Sequence, residues 1–220
     1  MAEVTTQMIK DLRERTQAGM SDCKKALMEC AADMEKAIEY LRKKGIAQAA
    51  KKATRIASEG TIASYIHPGS RIAVLVEINC ETDFVSRNPD FQVFARDVAM
   101  QVAAMSPQYL SQDEIPAATI EQEKAIRLDQ ARQQKKPEPV LQKIVEGQMG
   151  KWFKEVCLLD QEWVKDPEGK KDIRGLLTDL IGKIGENIKI RRFVRYEVGE
   201  GLAKKADDFV EEVKRQAGQA

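Results

Sequence analysis

The sequence predicts an α+β fold, and three observations carry the prediction. Apolar residues recur at helical spacing through residues 5–45. The period then shortens to two, in β-branched runs on either side of Pro68-Gly69-Ser70 and again over residues 188–198. Between and after these runs, broad apolar helical faces return from Asn88-Pro89 and over residues 140–157. The expected architecture is an N-terminal three-helix module with its linker over 1–54. A core over 55–203 follows, in which a small antiparallel sheet packs with helices and a helical hairpin, and a C-terminal helix occupies 204–220.

A chain of 220 residues suffices for one core of ordinary size and a small appended module. Lys plus Arg is 36 against 35 for Asp plus Glu. That balance gives no bulk attraction to nucleic acid or to a membrane surface, so neither is expected as a partner. The first residues lack the basic and apolar regions of a signal peptide, and no apolar run reaches the ~20 residues that span a bilayer. A cytoplasmic location is expected.

Thr5 is placed to cap a first helix with Met8, Ile9 and Leu12 on its apolar face. Ser21 is expected to open a second, whose stripe is Cys23, Ala26, Leu27 and Cys30. Asp33 opens a third, with Met34, Ala37, Ile38 and Leu41 inward and Gly45 as its stop. Residues 46–58, Ala-rich and basic, read as a helical linker. Its Lys51, Lys52 and Arg55 are a solvated face or a contact for an acidic partner, and the lack of interleaved aromatics weakens an RNA reading.

From residue 61 to 79 a β-hairpin is expected, with His67 as a turn residue. Asn88 and Pro89 form an N-cap and N1 pair for a helix whose apolar face is Phe91, Phe94, Ala95, Val98, Ala99 and Val102. Ser111 to Glu114 resembles a capping box weakened by Pro116. Residues 119–134 and 140–157 read as an antiparallel helical pair broken at Pro137 and Pro139. A helix over 172–184 stopped by Gly185 leads into a strand over 188–198, with Arg191, Arg192 and Arg195 available to solvent or partner. An amphipathic tail helix is expected over 206–217, with Phe209, Val210 and Val213 on one face.

Four cysteines, Cys23, Cys30, Cys80 and Cys157, form no CxxC pair, and His67 is the only histidine. No metal site is expected, and the thiols read as small buried hydrophobes of a reducing compartment, with disulfides as the alternative. No P-loop, nucleophile elbow or zinc-protease motif is present, so neither enzymatic chemistry nor a cofactor is expected.

The stretch from Asn79 to Asn88 is different in kind. An apolar strand ends there in a polar, acidic turn that carries one Phe between two fixed ends. On residue type alone Phe84 is either a core residue capping the hairpin or an exposed contact. Thr82-Asp83-Phe84-Val85 in this setting closely resembles the signature of bacterial elongation factor Ts, the nucleotide exchange factor family of the GTPase elongation factor Tu. The resemblance is dense elsewhere: residues 12–16, Ala18-Gly19-Met20, residues 22–27 and 41–45, and then 184–188, 191–193 and 196–199. Gln17 and Ala31-Ala32 depart from it, standing where glycine is usual in the turns. The chain resembles the short form, without an enlarged core.

The resemblance implies a three-helix module like the ubiquitin-associated type, which docks on the nucleotide domain of elongation factor Tu, and a core of the dimerisation type. It implies that Thr82, Asp83, Phe84 and Val85 enter the partner near its Mg²⁺ and displace it. Arg13, Met20 and Lys24 are contact candidates only, because helix faces carry such residues routinely. A homodimer is also expected, since a three-stranded sheet covered on one face leaves apolar surface on the other. The rival reading is a non-catalytic adaptor built on the three-helix module. That reading makes no use of residues 60–199.

Overall fold

A computed structural model describes residues 4–16, 18–133, 137–169 and 171–202. The tail helix expected over 206–217 lies outside these residues. Helices α1 (Thr6–Thr16), α2 (Met20–Glu29) and α3 (Met34–Lys52) enclose a small core of Leu12, Cys23, Ala26, Leu27, Ala37 and Leu41. Thr5 caps α1, its Oγ1 accepting from the Met8 N–H at 3.2 Å. Asp33 caps α3 by accepting from the Lys36 N–H at 3.0 Å.

Two helix boundaries differ from expectation, and one turn holds alanines where glycine is usual. Gly19 stands at the N-cap of α2 and Ser21 lies inside its first turn, without a side-chain cap. The turn before Asp33 holds Ala31 and Ala32 at φ 51° and 62°. Each alanine there costs about 1 kcal/mol or more, because its Cβ crowds the next carbonyl. Gly45 does not stop α3, which continues to Lys52. A mid-helix glycine costs only about 1 kcal/mol relative to alanine. The continuation offsets this by seating Ala49 on the main core and lying against the helix over 173–184.

Strands β1 (Glu59–Ile66), β2 (Ile72–Cys80) and β3 (Ile188–Glu197) form one antiparallel sheet in that order. The β1–β2 turn places Gly69 and Ser70 at positive φ. At Gly60 a Cβ would stand 2.1 Å from the Ile78 carbonyl oxygen, so only glycine permits this close approach of β1 to β2. The inner face, Val74, Val76, Ile78, Cys80 and Ile190, packs against α5 (Pro89–Met105) through Phe91, Phe94, Ala95, Val98 and Val102. Asn88 caps α5, accepting from the Asp90 N–H at 2.8 Å.

The expected helical pair is α6 (Ala117–Arg132) and α7 (Glu138–Val156), packed around Ala131, Leu141, Val145 and Met149. Helix α8 (Ile173–Ile184) is capped by Asp172, which accepts from the Gly175 N–H at 2.7 Å, and is ended by Gly185 at φ 90°. It touches α3, α5 and β3, so it joins the three-helix cluster to the sheet layer.

Among the described residues no helix packs on the outer face of the sheet, and Ile62, Ile66, Leu75, Val194 and Tyr196 are exposed on it. Glu77 sits among them, paired with Arg191 at 2.7 Å and Arg192 at 2.6 Å. These two guanidiniums hold its carboxyl below the usual carboxylate range. Arg195 differs from the other two: it is largely buried, reaching the Ala103 carbonyl and the Glu197 carboxylate.

Candidate functional site

The site begins where β2 ends. Cys80, wholly buried, donates its thiol proton to the Thr82 carbonyl oxygen at 3.2 Å. Burial, with the nearby Glu186 carboxylate adding to it, pushes the Cys80 thiol up to about 11. The thiol therefore stays protonated at neutral pH, available as a donor and inert as a nucleophile.

The expected turn over 82–87 is more regular than a loop. Asp83–Ser86 form a single helical turn, α4, with Thr82 at its N-cap in extended conformation. Successive side chains on a helix point about 100° apart. One turn thus sends Val85 into the core, 9% exposed, and Phe84 into solvent, 80% exposed. Ser86 Oγ donates to the Asp83 carbonyl at 2.7 Å, and Gln92 donates to the Ser86 carbonyl. Asp83 lies outside this packing and pairs with Arg87 at 3.1 Å. On its downstream side the turn is held by Asn88, the cap of α5.

Upstream, the anchor comes from the far end of the chain. Glu186 Oε2 accepts from the backbone N–H groups of Glu81 and Thr82, both at 3.1 Å, and its Oε1 accepts from the Thr82 hydroxyl at 2.7 Å. The next residue returns the contact, the Asn187 N–H donating to Glu81 Oε1 at 2.6 Å. Asn187 is itself buried and donates through Nδ2 to the Arg55 carbonyl. Sequence reasoning noticed residues 184–188 as a family pattern but gave them no part in the site. The only local signal was a polar Glu-Asn pair at a strand entry, a place where apolar residues usually begin the pleat.

The other residues singled out lie elsewhere. Arg13 on α1, and Met20 and Lys24 on α2, are all exposed. Met20 and Lys24 stand one turn apart, hence on one face of α2. The structure thus brings Thr82, Asp83, Phe84 and Val85 together on one turn and leaves these three on the helical cluster. Among the described residues, no group of three or more His, Cys, Asp or Glu side chains could hold a metal ion. What the site offers is an aromatic side chain displayed on a base fixed at both ends. Burying such a ring against a partner supplies about 1.5–3 kcal/mol.

Comparison with known proteins gives first the class, translation elongation factors, and then the family. The family model described as Elongation factor TS matches residues 1–171. The elongation factor Ts of Carboxydothermus hydrogenoformans is 59% identical over 210 residues, covering 96% of each chain. That of Desulforamulus reducens is 56% identical over 98% of this chain and 99% of its own. That of Myxococcus xanthus is 55% identical over the full length of both. The chain belongs to the elongation factor Ts family and has the role of a translation elongation factor. No described helix is long and apolar enough to cross a membrane.

Proposed function

We propose that this chain is a guanine nucleotide exchange factor acting on the GTPase elongation factor Tu in the cytoplasm, with no active-site chemistry of its own. It binds the GDP-bound partner, weakens the hold on Mg²⁺ and GDP, and leaves the site open to GTP. The observation that carries this reading is Phe84, an aromatic ring 80% exposed on a turn whose neighbour Val85 is locked in the core. An exchange factor must bind the nucleotide-free GTPase more tightly than the nucleotide-bound one. By linkage, that difference lowers nucleotide affinity by the same factor. Mg²⁺ is the sensitive element, because it demands near-octahedral ligands and tolerates little displacement.

In this reading Phe84 is the wedge, Asp83 adds charge against the elements that hold Mg²⁺, and Thr82 and Val85 fix the base. Residues 1–54 form the docking module, with Arg13, Met20 and Lys24 as contacts, and residues 55–203 form the core that carries the wedge. The exposed apolar outer face of the sheet supports a homodimer in which two such faces meet.

The test follows release of labelled GDP from elongation factor Tu with the intact chain and with Phe84→Ala. Coupling of about 1–3 kcal/mol per contact network predicts a substantial loss of stimulated release, with a remainder from other contacts. Unchanged release in the variant would overturn the wedge.

A further inference from the structure

We propose that Glu186 is the positioning residue of the Phe84 wedge, its carboxylate fixing the N-terminal side of α4 from the α8–β3 junction. The inference rests on the exchange reading above for its functional consequence. It stands on separate geometry for the positioning itself.

A helix of four residues is too short to be stable alone, because nucleation fixes several dihedrals for one hydrogen bond. Its direction must therefore be imposed from outside. A threonine at an N-cap ordinarily turns its hydroxyl oxygen onto the N–H groups of its own first turn. Thr82 makes no such bond, and its hydroxyl instead donates to Glu186 at 2.7 Å. The N–H groups of Glu81 and Thr82 lie beyond the last residue of β2 and so have no ladder partner; both are taken by the other carboxylate oxygen. All three donors at the entry to the turn converge on one side chain, and bonds to a charged acceptor are the stronger kind.

The position of that side chain is itself fixed. Glu186 lies between Gly185, the left-handed residue ending α8, and Asn187, which is buried and bonded to Glu81 and Arg55. Immediately after it, Ile188 pairs with Cys80 across the sheet, so carboxylate and turn belong to one rigid register. Two residues beyond Thr82, Phe84 has no packing of its own to hold it.

The experiment uses the full chain as Glu186→Ala, Glu186→Gln, Phe84→Ala and the double variant Glu186→Ala/Phe84→Ala. Amide hydrogen exchange at Glu81 and Thr82 is read in the free chain, and stimulated GDP release is read with elongation factor Tu. Glu186→Ala should speed exchange at both amides by roughly tenfold or more, the loss expected for bonds to a charged acceptor. Glu186→Gln keeps one oxygen for the two amides and an NH₂ that can donate to the Thr82 hydroxyl, so it should restore most of that protection and serve as the folded control. In GDP release, Glu186→Ala should lower the stimulated rate, and should lower it little further when Phe84 is already alanine.

Unchanged amide protection in Glu186→Ala would overturn the positioning role. Effects on release that add in the double variant would also overturn it, showing that Glu186 acts other than through the wedge. Should the unaltered chain fail to accelerate GDP release, the exchange reading falls, and the amide measurement still decides whether Glu186 holds the turn.

Discussion

Asn187 donates through Nδ2 to the carbonyl oxygen of Arg55 at 2.7 Å, tying the exit from the three-helix cluster to the start of β3. The bond spans 132 positions of sequence and lies beside the Glu81–Asn187 contact that borders the wedge. Replacing Asn187 with alanine removes a buried, satisfied amide and should cost about 1–2 kcal/mol. Limited proteolysis should then cut residues 53–58 faster than in the unaltered chain. Equal cleavage rates would show that the connection is held by other contacts.

Phe84 and Val85 are neighbours, yet their substitution should act on different measurements. Val85→Ala removes buried methyl groups and should lower unfolding stability by about 1–2 kcal/mol. Phe84→Ala removes an exposed ring and should leave stability within about 0.5 kcal/mol. Chemical denaturation of both variants checks the contrast. A large loss of stability in Phe84→Ala would mean that the ring packs against the fold.

The left-handed alanines of the α2–α3 turn are a place to gain stability. Glycine at position 32, where φ is 62°, has no Cβ to crowd the backbone. Ala32→Gly should therefore stabilise the three-helix cluster by about 0.5–1 kcal/mol, the relief of strain outweighing the added entropy of the unfolded chain. Thermal melting of the pair checks it.

Buried thiols should make the fold sensitive to alkali. Burial raises the Cys80 and Cys157 thiols from 9.0 to about 11. A group whose pKa is raised on folding binds its proton more tightly in the native state. Its contribution is thus fully present below pH 9 and is lost as pH rises towards 11. Denaturation midpoints should fall across that window, and the Cys80→Ala/Cys157→Ala double variant should show a flatter decline.

The outer sheet face should decide the oligomeric state. Leu75 and Val194 are cross-strand partners, both exposed, with Ile62, Ile66 and Tyr196 around them. Sedimentation at micromolar concentration should give a dimer for the unaltered chain. It should give a monomer for Leu75→Lys, where a charge would have to be desolvated between two sheets. A monomeric mass for the unaltered chain would end the dimer proposal.

Much of the fold was legible because its punctuation is local. Thr5, Asp33, Asn88 and Asp172 all cap the helices they precede, and Gly185 stops the one it follows. Gly45 was misleading because a stop signal is also local, whereas α3 is prolonged by what its far end touches, Ala49 on the core. The Thr82–Val85 segment stood out as a candidate through its resemblance to a family, and of the two readings its residue type left open for Phe84 the structure gives the exposed one. Its anchor was not. Glu186 meets Thr82 across 104 positions, and a carboxylate that accepts backbone bonds after a distant helix leaves no spacing or period to read. Arg195 was misread for a related reason, since alternation along β3 is interrupted by the irregularity at Glu77/Ile78 that re-aims the side chains beyond it.

The unbroken course of α3 bears on how the two proposed contact surfaces work together. Its 19 residues make a rod of about 28 Å, buttressed by α8 along its second half. Met20 and Lys24 flank Asp22, which pairs with Lys44 in the second half of this rod at 2.7 Å. Arg55, just past the end of the rod, pairs with Glu81 beside the proposed wedge. These contacts and Phe84 are therefore held at a set span, as the points of a caliper are. Under the exchange function proposed above, once the first surface engages the GTPase the second meets it at a high effective concentration, with no flexible tether to order. The same stiffness makes the pair selective by avidity, because a protein that matches one point but presents the other at a different distance gains nothing from the second.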